Sequence, residues 1–225
     1  MAIILNIETA TKNCSVALSN DDNLLSLKEY AGEGYSHAEK LHVFIDEIIK
    51  ENKLNYNEID AIAVSMGPGS YTGLRIGVST AKGLAYALQI PLIAVSTLEH
   101  LAYKIKAKDA FIIPVLDARR MEVYSAIFNE DYTKIRDVKA EIVEANTYDY
   151  FLDKKSTYFV GDAVPKLKDV IQHPNAMFST QLFPSAKEMI KPAFQKYQNS
   201  DFEDVAYFEP FYLKDFIALK KKTKL

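Results

Sequence analysis

The chain has 225 residues, 48% of them hydrophobic and 25% charged, enough for one large domain or two small ones with proper cores. A formal net charge of −3 gives no basic footprint for tight nucleic-acid binding by this chain alone, and a single cysteine, Cys14, excludes an internal disulfide and zinc-finger spacing. The opening "MAIILNIETA" lacks the features of a secretory signal, and no apolar run approaches the roughly 18 residues that span a bilayer, so a cytoplasmic location with no membrane contact is expected.

The N-terminus predicts three short strands, "AIILNIET", "CSVALS" and "LLSLKEY", separated by the turn-rich "ATKN" and "NDDN". A helix follows in "SHAEKLHVFIDEIIKEN". Ser36, with Glu39 three residues on, predicts a capping box, and Leu41, Phe44, Ile45, Ile48 and Ile49 form an apolar stripe. The buried strand "AIAVSM", a glycine turn, a second helix through Leu88 and the strand "PLIAVS" complete a β-β-β-α-β-α-β unit.

The second half begins in the same way. "IIPVLDARRMEVYSAIFNED" reads strand, turn, strand, and a shift of 109 positions pairs Glu8 with Asp117, Val16 with Ser125, Leu18 with Ile127 and Asn20 with Asn129. A carboxylate ending the first strand of each half, followed by the same hairpin, predicts a duplicated domain. The boundaries this implies are an N-terminal unit over 1–105, a C-terminal unit over 106–217 and a solvated basic tail over 218–225. After Asn146 the pattern is less regular: "TYDYFLDKK" and "SAKEMIKPAFQKYQN" read as helices and "TYFVGDA" as a strand, with Pro192 predicting a kink or break.

The glycine turn is the first candidate site. Gly67, Pro68 and Gly69 lead into Gly73 and Arg75, but the lysine of a P-loop is missing, and the third glycine falls one position too far for a dinucleotide fingerprint. A tight structural turn is the simpler reading; contact with a ligand or partner is the alternative. Along the helix, Gly73, Gly77, Ala81 and Ala85 recur every four residues and leave one ridge nearly bare. Each interior glycine costs about 1 kcal/mol of helix propensity relative to alanine, so something must approach closely: the protein's own sheet or another helix. The favoured reading is a subunit contact, built from His37, Leu41, Phe44, Ile45 and Ile48 on the first helix and Gly73, Leu74, Gly77 and Ala81 on the second.

Catalytic sets are incomplete. His37 and His42 stand five apart, roughly 140° around a helix and too far to share a metal, and Leu41 occupies the position that would complete a pair with His37. Glu8 and Asp117 could face each other across a cleft, but Met66 stands where a two-metal nuclease would want a further acid. No G-x-S-x-G elbow is present, and Cys14 reads as a small core residue.

The segment "SMGPGSYTGLRIGVSTAKGLA", with "LNIETATKNCSVAL", "SHAEKL", "VLDARRMEVYSAIF", "VGDAVPKL" and "EPFYLKD", resembles the bacterial TsaB family of tRNA threonylcarbamoyladenosine biosynthesis proteins, over nearly the whole chain. The resemblance implies an actin-like (ribonuclease H-like) α/β fold of two related mixed-sheet subdomains. It also implies a non-catalytic partner of TsaD, which modifies adenosine next to the tRNA anticodon, with the ATPase TsaE as a further partner. A homodimer is implied when the chain is alone, and tRNA contact only through the complex. No cofactor is implied in this chain; ATP and metal belong to the partner subunits, whose H-x-x-x-H helix motif is broken here by Leu41. Two other readings follow from the fold class: an ATP-binding actin-like phosphotransferase and an inactive glycoprotease-like protein. His42 departs from the leucine usual in the family at that place.

Overall fold

The structure, a computed structural model, describes residues 1–32 and 36–214. The basic stretch 218–225 lies outside these residues. The first half runs β1 (Ile3–Glu8), β2 (Asn13–Asn20), β3 (Asn23–Ala31), α1 (His37–Glu51), β4 (Ala61–Gly67), α2 (Tyr71–Leu88), β5 (Leu92–Ser96) and α3 (Thr97–Ala102). The second runs β6 (Phe111–Asp117), β7 (Glu122–Phe128), β8 (Lys134–Ile142), α4 (Asp149–Leu152), β9 (Thr157–Val160), α5 (Val164–Leu167), β10 (Ala176–Phe178) and α6 (Ala186–Gln198).

The two sheets share one topology. Strand order is β3-β2-β1-β4-β5 in the first and β8-β7-β6-β9-β10 in the second, with the hairpin strands antiparallel and the crossover strands parallel. The duplication read from the hairpins is therefore present in space, with one difference in register. Glu8 pairs with Ser15, whereas Asp117 pairs with Val123, so the second hairpin closes one residue tighter than the 109-position shift predicts. This is the actin-like α/β arrangement of two related mixed-sheet subdomains.

Helices cover both faces of each sheet, and one helix is exchanged in each direction. α1 and α2 lie on one face of the first sheet, where Leu41, Ile45, Ile48, Val78 and Ala81 meet Leu5, Ile7, Val16 and Val64. The opposite face, with Ile4, Ala63 and Ile93, is covered by α6 of the second half through Ala186, Met189, Ile190 and Ala193. Conversely α3, which follows β5, lays Leu98, Leu101 and Ala102 on Ile112, Leu116, Ala126 and Phe128 of the second sheet. Each fully buried Leu, Ile or Met among these contributes about 1.5–3 kcal/mol, so the exchange joins the halves by burial. α3 ends at Ala102 and β6 begins at Phe111, on either side of the 105/106 boundary, yet α6 serves the sheet of the other half.

Three local expectations are corrected. α1 has no capping box: Ser36 makes no side-chain capping bond, and the helix is held by its apolar stripe instead. α6 runs through Pro192 without a break, because Pro192 is itself buried and its neighbours Met189, Ile190 and Ala193 pack on the sheet, outweighing the lost backbone bond. The helix of "TYDYFLDKK" shrinks to four residues, and a second four-residue helix that the pattern did not announce, α5, follows β9. Cys14 is fully buried, and burial beside the Glu8 carboxylate pushes its thiol up to about 12.

Candidate functional site

The carboxyl ends of β1 and β4 meet the N-termini of α1 and α2 at the head of the first sheet. Thr9 Oγ1 donates to the Gly73 carbonyl at 2.8 Å, and the Ser70 amide donates to the Ala10 carbonyl at 2.6 Å. Ser70 caps α2 by accepting from the Gly73 amide at 3.3 Å. The glycines answer to these contacts. A Cβ on Gly69 would stand 2.4 Å from the Ala10 carbonyl oxygen, one on Gly73 2.1 Å from the Thr9 carbonyl oxygen, and one on Gly77 2.2 Å from Thr9 Oγ1. Gly67 needs its freedom twice, for φ of +110° and for the Phe211 carbonyl oxygen 2.8 Å from where a Cβ would be. The Gly67–Pro68 peptide is cis.

The bare ridge of α2 thus seats the helix on the chain's own β1–β2 loop. This corrects the surface drawn from periodicity. His37, Leu41, Ile45, Ile48, Leu74 and Ala81 are buried, as are Gly73 and Gly77, and Phe44 is half-buried against the same core. Periodicity located a close approach correctly but assigned it to another helix; the approaching body is Thr9. The outward face of the two helices carries different residues. Thr72, Arg75, Ser79, Gly83 and Tyr86 form the exposed stripe of α2, with His42 and Val43 exposed on α1. His42, Ser79, Thr80, Gly83 and Leu84 line an open groove between them. A Cβ on Gly83 would meet nothing within 4 Å.

The C-terminal segment crosses this head as a strap. The Phe211 amide donates to the Met66 carbonyl at 2.7 Å, Lys82 Nζ donates to the Phe208 carbonyl at 2.8 Å, and Glu203 bridges to Leu92. Arg75 lies 4.1 Å over the Tyr71 ring and donates to the Tyr212 hydroxyl at 3.4 Å, with the two tyrosine rings 4.9 Å apart. Gly67, Pro68 and Gly69 form the β4–α2 loop, with Ala10 on one side and the strap on the other, whereas Arg75 stands in the second turn of α2 and reaches the strap at Tyr212.

Beneath the loop lies an ionisable pair that sequence reasoning missed. Glu8 Oε2 and His100 Nε2 are 2.7 Å apart, both side chains fully buried. Glu8 Oε1 accepts from the Ala10 amide at 2.5 Å, and His100 Nδ1 donates to the Ser96 carbonyl at 3.0 Å. With Nδ1 turned to the Ser96 carbonyl, His100 Nε2 is left facing the Glu8 carboxyl. His37 Nε2 donates to the Thr11 carbonyl at 2.8 Å, and burial pushes its pKa down, favouring the neutral ring. Among the described residues no three His, Cys, Asp or Glu side chains gather as a metal-ligand set. The signal for the pair was a carboxylate closing the apolar strand "IILNIE", which demands a partner inside the fold.

The equivalent head of the second sheet is built from other residues. Lys166 Nζ donates to Asp117 Oδ1 at 2.5 Å, to the Arg120 carbonyl at 2.9 Å and to the Glu122 carbonyl at 2.6 Å. The Asp117 amide donates to Asp162 Oδ1 at 2.8 Å. Glu8 and Asp117, equivalent in topology, thus have separate partners. Burial pushes the Asp162 carboxyl up from 3.8 to about 6, against the lowering effect of the Asp117 amide. Between those values the native state binds more protons than the unfolded chain, so stability should fall as pH rises from about 4 to about 6. Asp162→Asn retains the Oδ1 acceptor. It should flatten that slope and be about 1–2 kcal/mol more stable at pH 7, measured by urea unfolding across the range; an unchanged slope would refute the assignment.

Comparison with known proteins places the chain. The family described as TsaD, tRNA N6-adenosine threonylcarbamoyltransferase, matches residues 34–222. The tRNA threonylcarbamoyladenosine biosynthesis protein TsaB of Escherichia coli (strain K12) is 30% identical over 226 residues, covering 97% of each chain. The protein of the same name from Haemophilus influenzae is 27% identical over 97% of this chain and 96% of that one. The solved structure of YeaZ from Pseudomonas aeruginosa superposes with a TM-score of 0.82 at 27% identity, covering 95% of this chain and 100% of that one. The chain belongs to the TsaB family of tRNA threonylcarbamoyladenosine biosynthesis proteins, related through the TsaD-type domain to the threonylcarbamoyltransferases.

Proposed function

We propose that this chain is a non-catalytic scaffold in threonylcarbamoyladenosine synthesis on tRNA, binding a TsaD-like catalytic subunit through the exposed face of α1 and α2. The observation that carries the reading is Gly83. It sits inside an 18-residue helix, exposed, with nothing within 4 Å of a Cβ, so neither packing nor backbone geometry in the monomer calls for glycine. The cost of about 1 kcal/mol in helix propensity is offset when a second helix must come close at that point. His42, Ser79, Thr80 and Leu84 frame the groove such a helix would enter.

Used across a two-fold axis, the same face gives a homodimer when the chain is alone, so self-association and TsaD binding compete. ATP, metal and the TsaE-like ATPase belong to the partner side, and the complex works in the cytoplasm. The glycine loop supports no nucleotide reading, because its close approaches are taken by the Ala10 and Phe211 carbonyls. The broken histidine pair supports the non-catalytic role: Leu41 is fully buried, and His37 is committed to the Thr11 carbonyl.

Gly83→Leu tests the surface. The substituted protein should keep or raise its melting temperature, yet lose at least tenfold in self-association by sedimentation and in affinity for the TsaD-like subunit by calorimetry. Wild-type affinities in both measurements would refute the proposed face.

A further inference from the structure

The β6–β7 turn carries Arg119 and Arg120 side by side, both exposed and both in left-handed backbone, at φ of +73° and +53°. L residues with long side chains rarely adopt that conformation, so each is strained there relative to glycine. The fold holds the turn in place. The Ala118 amide donates to the Glu122 carbonyl at 3.1 Å, the Glu122 amide donates to the Arg119 carbonyl at 3.1 Å, and Lys166 uses its ammonium on Asp117 and on the Arg120 and Glu122 carbonyls.

The two acidic side chains that flank the turn in sequence are already paired. Asp117 pairs with Lys166, and Glu122 pairs with Lys214. Among the described residues neither Arg119 nor Arg120 has an ion-pair partner, so two positive charges stand uncompensated on a chain whose net charge is −3.

We propose that this turn is a phosphate-contacting finger through which the chain itself touches the sugar–phosphate backbone of tRNA. Two planar guanidinium forks, exposed and without an ion-pair partner among the described residues, fit phosphodiester oxygens. The inference rests on the proposed role in tRNA modification and adds to it a direct RNA contact by this subunit.

The test uses the assembled complex with the TsaD-like subunit and an unmodified tRNA transcript, with binding measured between 50 and 200 mM salt, about the range over which phosphate contacts are read. The double substitution Arg119→Gly with Arg120→Gly removes the charge and suits the left-handed backbone, so the melting temperature should hold or rise. Affinity for tRNA should fall about tenfold and the slope of log K against log salt should shrink by about 1.5–2. Arg119→Lys with Arg120→Lys should keep most of that slope, and affinity for the TsaD-like subunit should not change. Unchanged tRNA affinity and slope in the glycine variant would overturn the proposal. So would a loss of TsaD binding in its place, which would assign the arginines to an acidic protein surface. If the wild-type chain does not bind the TsaD-like subunit, the scaffold reading fails separately. The finger is then judged by the same criteria on tRNA binding by this chain alone at low salt.

Discussion

Replacing Gly73 with alanine should destabilise the protein by about 3 kcal/mol or more, the upper end of what overpacking costs. The added Cβ would stand 2.1 Å from a backbone oxygen, that of Thr9, which no side-chain rotation can relieve. Either α2 lifts from the sheet or the β1–β2 loop shifts, and the Thr9–Gly73 hydrogen bond is strained in both cases. Gly77→Leu should cost a similar amount, since its branch would displace Thr9 Oγ1, which stands 2.2 Å from the Cβ position. Gly83→Ala, on the open side of the same helix, should instead gain up to about 1 kcal/mol. Urea unfolding of the three variants checks the ordering. Wild-type stability of Gly73→Ala would mean that α2 is not seated on Thr9.

The ridge also shows what was legible in the sequence. A four-residue repeat of small side chains reports that some body approaches closely, and it does so equally for a sheet, a loop or a second subunit. Nothing in "GLRIGVSTAKGLA" identifies that body, and the answer, Thr9, lies 64 residues from Gly73. The elements of the first half were readable because the strands alternate cleanly and α1 and α2 are long enough to display a stripe. The second half was less so, because α4 and α5 have four residues each and show no period. Its core is tied in part by a polar cluster instead, where Arg136 and Tyr148 converge on Glu141 at 2.5 Å and 2.9 Å. Pro192 misled because a local rule was applied to a helix whose buried face settles its course. The finger was quoted in the motif "LDARRMEVY", but its meaning depends on two dihedral angles and on which acids Lys166 and Lys214 occupy.

His100→Ala should be among the most damaging single substitutions, costing about 3–5 kcal/mol, because it strands the Glu8 carboxyl in a fully buried site. Glu8→Gln should cost only about 1 kcal/mol. A glutamine can still accept from the Ala10 amide through Oε1 and donate through its amide nitrogen to His100 Nε2, while Nδ1 stays on the Ser96 carbonyl. The contrast separates a need for hydrogen-bond complementarity from a need for charge: equal losses in the two variants would show that the ion pair itself is required. The position of the pair gives the loss a spatial signature. Glu8 ends the central strand of the first sheet, and His100 lies on α3, the helix that covers the second sheet. Releasing His100 should therefore loosen α3 first, and amide hydrogen exchange should accelerate along residues 97–105 and in β6 before it does in α1. Uniform acceleration across both halves would contradict a pinning role for the pair, and losses below about 1 kcal/mol in both variants would remove it altogether.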